Sequence, residues 1–311
     1  MDLSVIIVCY KGWEKLIKCL DSLDAFILEN FSMEVIVVDN NSGDGRLSAI
    51  EEKFPKFRFV RNEVNGGYGY GCNRGAEKAC GDFIMILNPD TVAGEKETFT
   101  MLERAKAHPE YQITSCRQVR DDGSGSTGGG RFPGLSLKNL VPYKTAGDVS
   151  FPDWVSGSLM LIRSEAYSEL NGFDEEFWMY YEDVDICKRI RKAGGEIALW
   201  NDLSIIHDHG GSTRMNLSTT ALTKCEVQVS RHVYISRNFT GLPGFVMHFL
   251  TIADNMVTGI IAGIAGLLFF FIPKLFVRVR IFINLIKYYT GALFLQTWIS
   301  PRSVLYKSKI E

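Results

Sequence analysis

The chain has 311 residues, of which 46% are hydrophobic and 23% are charged, and its formal net charge is −2. These values are close to those of average globular proteins, and they exclude a disordered, collagen-like or small disulfide-stapled chain. The near balance of positive and negative charge gives no indication of a nucleic-acid-binding protein.

Short apolar strands alternate with helices in the first part of the sequence. Strands are predicted at residues 4–9, 34–38, 57–60 and 83–87, and helices at residues 13–26, 47–54 and 71–79. Strands that alternate with helices through short loops predict an α/β fold with an open, mostly parallel sheet covered by helices. In such sheets, ligands bind beyond the carboxyl ends of the strands.

The segment 121–131 (DDGSGSTGGGR) is rich in glycine and serine, and we expect it to form a mobile surface loop or lid. After this segment, regular structure is predicted again. The pattern predicts strands at residues 159–162, 197–200 and 204–206, and a helix at residues 183–193.

Two domains are predicted from the chain length, since a domain typically has about 100–200 residues. Residues 1–240 carry 27 basic and 34 acidic side chains, whereas residues 241–311 carry seven basic and two acidic ones. An acidic body followed by a basic, apolar tail is typical of a domain that touches a membrane. We therefore expect a soluble domain over 1–240 and a helical, membrane-associated tail over 241–311.

The tail contains a window without charge, Asn255–Pro273, which has 19 residues. A helix of this length spans the ~30 Å hydrocarbon core of a bilayer. The basic residues Lys274, Arg278 and Arg280 follow, and a single crossing from the cytoplasm would place them outside, against the positive-inside rule. We therefore expect a helix in the interface or a re-entrant pair. The alternative is a buried helix hairpin or an oligomer interface.

The seven cysteines are scattered along the chain, without a Cys-x-x-Cys pair. Their odd number and irregular spacing fit neither a disulfide framework nor a structural zinc site. The start, Met1–Ser4, lacks the basic residues of a secretory signal. These features predict a reduced, cytoplasmic body.

Acidic residues stand at strand ends and at the start of a helix. Asp39 and Asp90 each follow an apolar strand, and Glu182 and Asp183 open a predicted helix. Any one of these acids alone is more often a helix cap or a turn residue. Three such positions on one predicted sheet favour a site for a divalent cation or a sugar hydroxyl.

Two further segments carry candidate site residues. Asn65–Asn73 (NGGYGYGCN) follows a strand and opens a helix, so its backbone N–H groups are placed to bind a phosphate, with a simple turn as the alternative. His207 and His209 follow the last strand. Because residues two apart on an extended chain face opposite sides, we expect only one of them to be a ligand.

Seven motifs now stand in order along the chain: Ser4–Gly12 (SVIIVCYKG), Val38–Ser42 (VDNNS), Asn65–Asn73, Asn88–Asp90 (NPD), Trp154–Arg163 (WVSGSLMLIR), Gly172–Arg189 (GFDEEFWMYYEDVDICKR) and His207–Ser212 (HDHGGS). Together they resemble the family-2 glycosyltransferases of the GT-A fold, in particular the rhamnosyltransferase-like members that build bacterial surface polysaccharides. The resemblance covers residues 3–240 and implies a nucleotide-sugar-binding domain there.

The resemblance also implies chemical roles. Asp183 matches the family's catalytic base, and Asp90 matches the surviving acid of its Asp-x-Asp metal motif. Asn88 stands at the first acidic position of that motif, as in many relatives. His207, with His209 as the second choice, matches the metal or diphosphate ligand after the last strand. The implied cofactor is Mn²⁺ or Mg²⁺.

Other motif positions are implied to contact the substrates. The nucleotide-sugar side would comprise Tyr10, Asp39, Asn65, Gly67, Asn73 and Asn88. The acceptor side would comprise Trp154, Gly157 and Glu182.

By this resemblance, the protein is expected to be an inverting, metal-dependent glycosyltransferase at the cytoplasmic face of the bacterial inner membrane. It would move one sugar from dTDP-rhamnose or a UDP-sugar to a hydroxyl of a lipid-linked glycan or oligosaccharide, with a homo-oligomer as one possibility. Gln228–His232 (QVSRH) lacks the tryptophan of the Gln-x-x-Arg-Trp motif in processive synthases, which favours the addition of one sugar.

Two alternatives from other functional classes stay open. A sugar-nucleotide pyrophosphorylase shares the nucleotide-binding sheet, although Cys9–Gly12 (CYKG) is short and poor in glycine for its signature. A non-catalytic glycan-binding protein of the same fold is the other alternative.

Overall fold

The structure is a computed structural model that describes residues 1–126, 128–134, 141–207, 216–269, 272–306 and 308. Within these residues the strands are β1 (Leu3–Cys9), β2 (Met33–Asp39), β3 (Arg58–Arg61), β4 (Phe83–Leu87), β5 (Thr91–Val92), β6 (Tyr111–Val119), β7 (Gly125–Ser126), β8 (Gly129–Gly130), β9 (Lys144–Ala146), β10 (Val149–Phe151), β11 (Trp154–Val155), β12 (Leu159–Arg163) and β13 (Glu196–His207). The helices are α1 (Trp13–Asp24), α2 (Leu47–Lys53), α3 (Tyr68–Ala76), α4 (Glu95–Ala107), α5 (Ser164–Glu169), α6 (Glu182–Lys192), α7 (Leu217–Asn238), α8 (Gly241–Leu268) and α9 (Pro273–Leu295).

The central strands are buried because their residues are apolar and largely β-branched. All residues of β1 and β4 are buried, as expected for strands that are covered by helices on both faces. Helix α1 turns Leu16, Leu20 and Leu23 towards the sheet, at the spacing of three or four residues that one helix face requires. The predicted strands and helices of this region are confirmed.

The large sheet is mixed, and its central part is mostly parallel, as the sequence predicted. Its main path has the order β3-β2-β1-β4-β12-β6-β13-β10-β9. Strands β3, β2, β1 and β4 are mutually parallel, and β13 is parallel to β6. Strand β12 is antiparallel to both β4 and β6. The carboxyl ends of β1, β2, β4, β6 and β13 therefore lie at the same edge of the sheet as the start of β12.

Three predicted segments differ in detail. Helix α3 begins at Tyr68, earlier than predicted, and β13 is one strand with an irregularity between Trp200 and Ser204. The segment 121–131 was predicted as a loop, yet its described residues include β7, which pairs with β6, and β8, which pairs with β11. Backbone pairing therefore orders glycine-rich residues that have no apolar pattern.

The chain packs as two units. The first contains residues 1–174 and 182–212, and includes the whole large sheet. The second contains residues 175–181 and 213–311. The predicted boundary at residue 240 falls inside the second unit because α7, which precedes it, packs against α8 and α9.

Apolar side chains on α7 and α9 form the core of the second unit. Cys225, Val229, Leu285 and Tyr288 are buried together. The stretch Gly241–Gly266 of α8 has a mean hydropathy of 1.5 and is long and apolar enough to cross a membrane by length and composition. It is the candidate span among the described residues, and α9 begins at Pro273, where a proline is tolerated at the first helical turn.

Candidate active site

Predicted site residues converge at the edge where the carboxyl ends of the parallel strands lie. Asp39 ends β2, Asp90 lies in the turn between β4 and β5, and His207 ends β13. Gly157 lies two residues before the start of the neighbouring β12, and Asp183 lies in the first turn of α6. The topology thus brings together residues that are far apart in the sequence.

Asp183 is a partly exposed carboxylate held by two backbone amides. Its Oδ2 accepts a 3.0 Å hydrogen bond from the Gly157 amide, and its Oδ1 accepts a 2.8 Å bond from the Val184 amide. Loss of hydration raises the pKa of Asp183 above its ordinary value, and the two hydrogen bonds oppose this shift without cancelling it. A carboxylate with a raised pKa is suited to accept a proton near neutral pH.

Tyr68 lies near the acidic residues Glu182, Asp183 and Asp90. Its hydroxyl donates a 2.8 Å hydrogen bond to the Gly157 carbonyl. The pKa of Tyr68 is raised well above its ordinary value, first by burial and then by negative charges that include Glu182, Asp183 and Asp90. The phenol therefore remains protonated and continues to donate to the turn that contacts Asp183.

The turn Ser156-Gly157-Ser158 also reaches the other side of the site. The amide of Asn88 donates a 3.0 Å hydrogen bond to the Ser158 carbonyl, directly before the turn that carries Asp90. The Asn88 carbonyl accepts a bond from the hydroxyl of Thr91. The described hydrogen bonds of Asn88 are thus made by its backbone, which fixes the entry to the Asp90 turn.

Asp90 and His207 face each other in a buried pair. His207 Nε2 lies 3.3 Å from Asp90 Oδ1, and both side chains are almost fully buried. The other ring nitrogen, Nδ1, lies 2.7 Å from Gln118 Oε1. Asp90 Oδ1 has no hydrogen-bond partner within the part of the chain that the structure describes. A buried carboxylate oxygen without a donor needs a positive charge nearby.

These two side chains fit a divalent cation that is shared with a substrate. The described residues contain no group of three or more His, Cys, Asp or Glu side chains placed to hold a metal by themselves. Mg²⁺ in nucleotide-using enzymes is commonly held by one or two carboxylates together with substrate phosphates. A carboxylate and an imidazole nitrogen that leave the other positions to a diphosphate are consistent with that arrangement.

Polar residues after β2 form the predicted nucleotide side. Asp39 is buried, and its Oδ1 accepts a 3.0 Å hydrogen bond from the Ser42 amide. Asn40 donates from Nδ2 to Asn65 Oδ1 at 3.0 Å and to the Gly67 carbonyl at 2.8 Å. Gly67 has a φ of 99°, which a residue with a side chain rarely adopts. Asn40 therefore fastens the glycine loop to the end of β2.

Three further predicted residues are Tyr10, Trp154 and Glu182. Tyr10 is 42% exposed beside β1, and Lys11 Nζ lies 5.3 Å from its ring centroid, so the ring is accessible for stacking. Trp154 donates its indole N–H to the Arg131 carbonyl at 2.9 Å. Glu182 is buried.

Asn73 has a different environment from the one predicted. Its Oδ1 accepts hydrogen bonds from the Tyr167 hydroxyl and the Phe173 amide, and its Nδ2 donates to the Phe173 carbonyl. The side chain therefore links α3 to the segment around residue 173. We do not retain Asn73 among the residues that contact the donor nucleotide sugar.

Sequence reasoning missed three residues that organise the site, namely Asn40, Gln118 and Ser158. Each is polar and buried. Asn40 lies within a motif, but Gln118 stands in a strand that the apolar pattern did not predict. His209, the second-choice ligand, lies outside the described residues.

A family model described as "Glycosyl transferase family 2" matches residues 4–169, more than half of the chain. The chain belongs to this family. A second model, described as "N-terminal domain of galactosyltransferase", matches residues 148–209, which include Gly157, Asp183 and His207. The protein is therefore a glycosyltransferase of glycan biosynthesis.

Named relatives agree with this family. The N-acetylglucosaminyl-diphospho-decaprenol L-rhamnosyltransferase of Mycobacterium tuberculosis is 28% identical over 239 residues, which cover 68% of this chain and 77% of that protein. The rhamnosyltransferase WbbL of Escherichia coli is 27% identical over 212 residues, covering 61% and 77%. The resemblance to rhamnosyltransferases is thus confirmed.

The fold agrees as well. The mannosyltransferase PcManGT of Pyrobaculum calidifontis, solved with GDP-Man and Mn²⁺, aligns with a TM-score of 0.57 at 16% identity. The alignment covers 92% of this chain and 86% of that protein. At this identity the similarity concerns the fold.

Proposed function

We propose that this family-2 glycosyltransferase is an inverting, metal-dependent enzyme that adds one sugar to a lipid-linked glycan. The donor would be a nucleoside-diphosphate sugar, either dTDP-rhamnose or a UDP-sugar. The observation that carries the proposal is the turn 156–158, which hydrogen-bonds Asp183 on one side and the backbone of Asn88, next to Asp90, on the other.

Asp183 is the proposed general base. An inverting transfer needs one group to remove the proton of the acceptor hydroxyl while that oxygen attacks the anomeric carbon opposite the leaving diphosphate. The raised pKa of Asp183 brings its proton affinity closer to that task. No covalent intermediate is needed, so one base suffices.

Asp90 and His207 are the proposed cation ligands, and Tyr10, Asp39 and Asn65 are the proposed donor contacts. A bound divalent cation would neutralise the negative charge that develops on the departing nucleoside diphosphate. Asp90 Oδ1 is buried without a hydrogen-bond partner among the described residues and lies close to His207, and both observations support this assignment. Trp154, Gly157 and Glu182 remain the proposed acceptor side.

The lipid-linked acceptor and the membrane surface belong to the same proposal. The relative from M. tuberculosis is named for an acceptor on decaprenyl diphosphate. In the second unit of this chain, α8 exposes Leu242, Phe245 and Phe249, and α9 exposes Leu293 and Phe294. An exposed apolar surface flanked by basic residues favours a position at the cytoplasmic face of the inner membrane, peripheral or re-entrant.

The test is a donor screen with mass analysis of the product. Purified protein is incubated with dTDP-rhamnose and UDP-sugars and with a prenyl-diphosphate-linked GlcNAc acceptor. We expect one added sugar, loss of activity in EDTA, and its return with Mn²⁺ or Mg²⁺. Nucleotide-sugar synthesis from a sugar phosphate would support the pyrophosphorylase alternative. Sugar binding without transfer would support the non-catalytic one.

The base is tested by Asp183→Asn, which should lower turnover by about 10²–10⁴-fold and leave donor affinity nearly unchanged. Asp185→Asn is the matched control on the same helix, because Asp185 pairs with Arg189 at 2.7 Å. It should keep turnover within about threefold of the wild type. Equal turnover in the two variants would remove Asp183 from the role of base.

A further inference from the structure

We propose that Gln118 sets the tautomer of His207, so that the lone pair of Nε2 faces Asp90. This inference rests on the proposed role of Asp90 and His207 as cation ligands. Gln118 would act through His207 and is a positioning residue for the proposed cation site.

The geometry around Gln118 is closed and specific. Gln118 is 1% exposed and lies near the end of β6, opposite Ile205 of the parallel β13. Its Oε1 accepts a 2.8 Å hydrogen bond from the Ser158 hydroxyl and lies 2.7 Å from His207 Nδ1. Both lone pairs of the amide oxygen are thereby used.

The donors and acceptors that each group carries determine the direction of each hydrogen bond around Gln118. An amide oxygen only accepts, so both Ser158 and His207 Nδ1 must donate to it. Ser158 then receives its own hydrogen bond from Ser156, whose hydroxyl oxygen lies 2.8 Å away. When Nδ1 of a neutral imidazole carries the proton, Nε2 carries a lone pair.

The contact between His207 and Asp90 agrees with a proton on Nδ1 and a lone pair on Nε2 of His207. Nε2 lies 3.3 Å from Asp90 Oδ1, yet the geometry is not that of a hydrogen bond, because Oδ1 has no donor within the described chain. Two acceptor atoms at this distance repel each other unless a cation lies near both. A hydrogen bond to the distal nitrogen is the usual way in which proteins orient a metal-binding histidine.

The amide nitrogen of Gln118 is dispensable in this arrangement. Gln118 Nε2 is buried without a hydrogen-bond partner among the described residues. Replacement of the amide nitrogen by a second oxygen therefore removes no described hydrogen bond. Gln118→Glu should keep the acceptor, whereas Gln118→Leu removes it at similar size.

The experiment measures Mn²⁺ affinity by electron paramagnetic resonance, without and with dTDP or UDP. Loss of a residue that hydrogen-bonds to a metal ligand typically weakens metal binding by about 10–100-fold. We expect a decrease in Mn²⁺ affinity of this size for Gln118→Leu. Gln118→Glu should bind within about threefold of the wild type. Gln112→Leu, on the same strand but bonded to the Pro109 carbonyl, is the matched control and should bind as the wild type does.

A second measurement reads the tautomer directly in protein labelled with ¹⁵N-histidine, with the His207 signals identified by their loss in His207→Gln. We expect the wild type to show the Nδ1–H form. An Nε2–H form, or unchanged Mn²⁺ affinity in Gln118→Leu, would overturn the inference. If the wild type binds no Mn²⁺, the proposed metal role fails, and the ¹⁵N spectrum still decides the role of Gln118.

Discussion

The amide of Gly157 donates a 3.0 Å hydrogen bond to Oδ2 of Asp183, so the orientation of this carboxylate depends on a backbone turn. The Gly157 carbonyl is held in turn by the Tyr68 hydroxyl at 2.8 Å. The next residue, Ser158, bonds through its carbonyl to the Asn88 amide. Displacement of this turn therefore changes the position of Asp183 and the support of the Asp90 turn together.

Gly157→Ala should lower turnover without a comparable loss of donor affinity. A Cβ added at Gly157 would lie 3.3 Å from the Cβ of Asp183 and 3.5 Å from a ring carbon of Tyr68. The carboxylate would have to shift by a few tenths of an ångström. A misplacement of about 1 Å costs about 10²-fold, so we expect about a tenfold loss of turnover. Steady-state kinetics and donor titration check this, and wild-type turnover would contradict it.

The pH profile should reflect the raised pKa of Asp183. The base works when ionised, so kcat/KM should fall as the pH falls through this pKa. Because loss of hydration raises the pKa, the acidic limb should lie above the ordinary carboxyl value of 3.8. Activity regained after return to pH 7 controls for acid unfolding. A limb at or below 3.8 would show that Asp183 is not the group that titrates.

Gly75→Ala should destabilise the first unit. A Cβ at Gly75 would lie 2.5 Å from Cγ2 of Ile6, inside van der Waals contact with the central strand. Overpacking of this kind costs about 1–3 kcal/mol of the free energy of unfolding, measured by denaturant titration. Gly263→Ala, on α8, is the matched control, because a Cβ added there would have no neighbouring atom within 4 Å. It should be neutral or stabilising by about 0.5–1 kcal/mol.

The glycines of Asn65–Asn73 show which structural features the local sequence predicts and which it does not. Their spacing predicted a phosphate-binding turn, and Gly67 does adopt a positive φ. Gly71, however, is buried in α3, where a Cβ would meet Val8 at 2.6 Å. The need for a small residue there comes from packing against β1, which depends on long-range structure.

Strands β1, β2 and β4 were predictable because burial on both faces demands continuous apolar runs. Strand β6 (YQITSCRQV) has no such run, so both the strand and Gln118 escaped prediction. The residues of β12 also do not indicate that this strand is antiparallel, since the direction of a strand follows from the path of the whole chain. Asp90 and Asp183 were found from strand and helix ends, whereas the partners of Gln118 lie 40 and 89 residues away.

The second unit should lose stability as the pH falls below 6.5. His232 is fully buried, and burial lowers its pKa from 6.5 to about 3. Its Nδ1 lies 2.8 Å from Nδ1 of His248, whose pKa is lowered to about 4 by the same cause. The unfolded chain binds protons at 6.5 and the folded one does not, so acid favours unfolding. At pH 5 the cost from His232 is about 2 kcal/mol.

Thermal unfolding at pH 7 and pH 5 measures this loss for the wild type and for His248→Gln. The variant lacks one of the two titrating rings, so its stability should fall less between the two pH values. Glu226, whose pKa is raised by burial, responds in the opposite direction but is present in both proteins. Equal losses in the two proteins would show that this pair does not control the pH response.

Removal of the tail is a poor test of membrane binding. Truncation after residue 240 would remove Leu285 and Tyr288, which cover Cys225 and Val229 of α7. The exposed apolar face of α7 would then promote aggregation whether or not the full chain binds lipid. Substitutions on the exposed face of the helices keep that core intact.

Leu293→Glu combined with Phe294→Glu should weaken binding to vesicles of anionic lipid. These side chains are 78% and 84% exposed on α9, so charge is tolerated in the unbound protein. Burial of a Leu or Phe side chain contributes about 1.5–3 kcal/mol each, so the double change should cost at least tenfold in affinity, about 1.4 kcal/mol. Ile27→Glu, at a position 75% exposed in the first unit, is the matched control and should bind normally.

Salt distinguishes the modes of membrane contact in the same assay. Lys274, Arg278 and Arg280 are exposed at the start of α9, so high salt should release part of an interfacial protein by screening headgroup attraction. A spanning α8 would instead require detergent for release. Wild-type vesicle affinity in the Leu293/Phe294 variant would show that this face of α9 does not contact lipid.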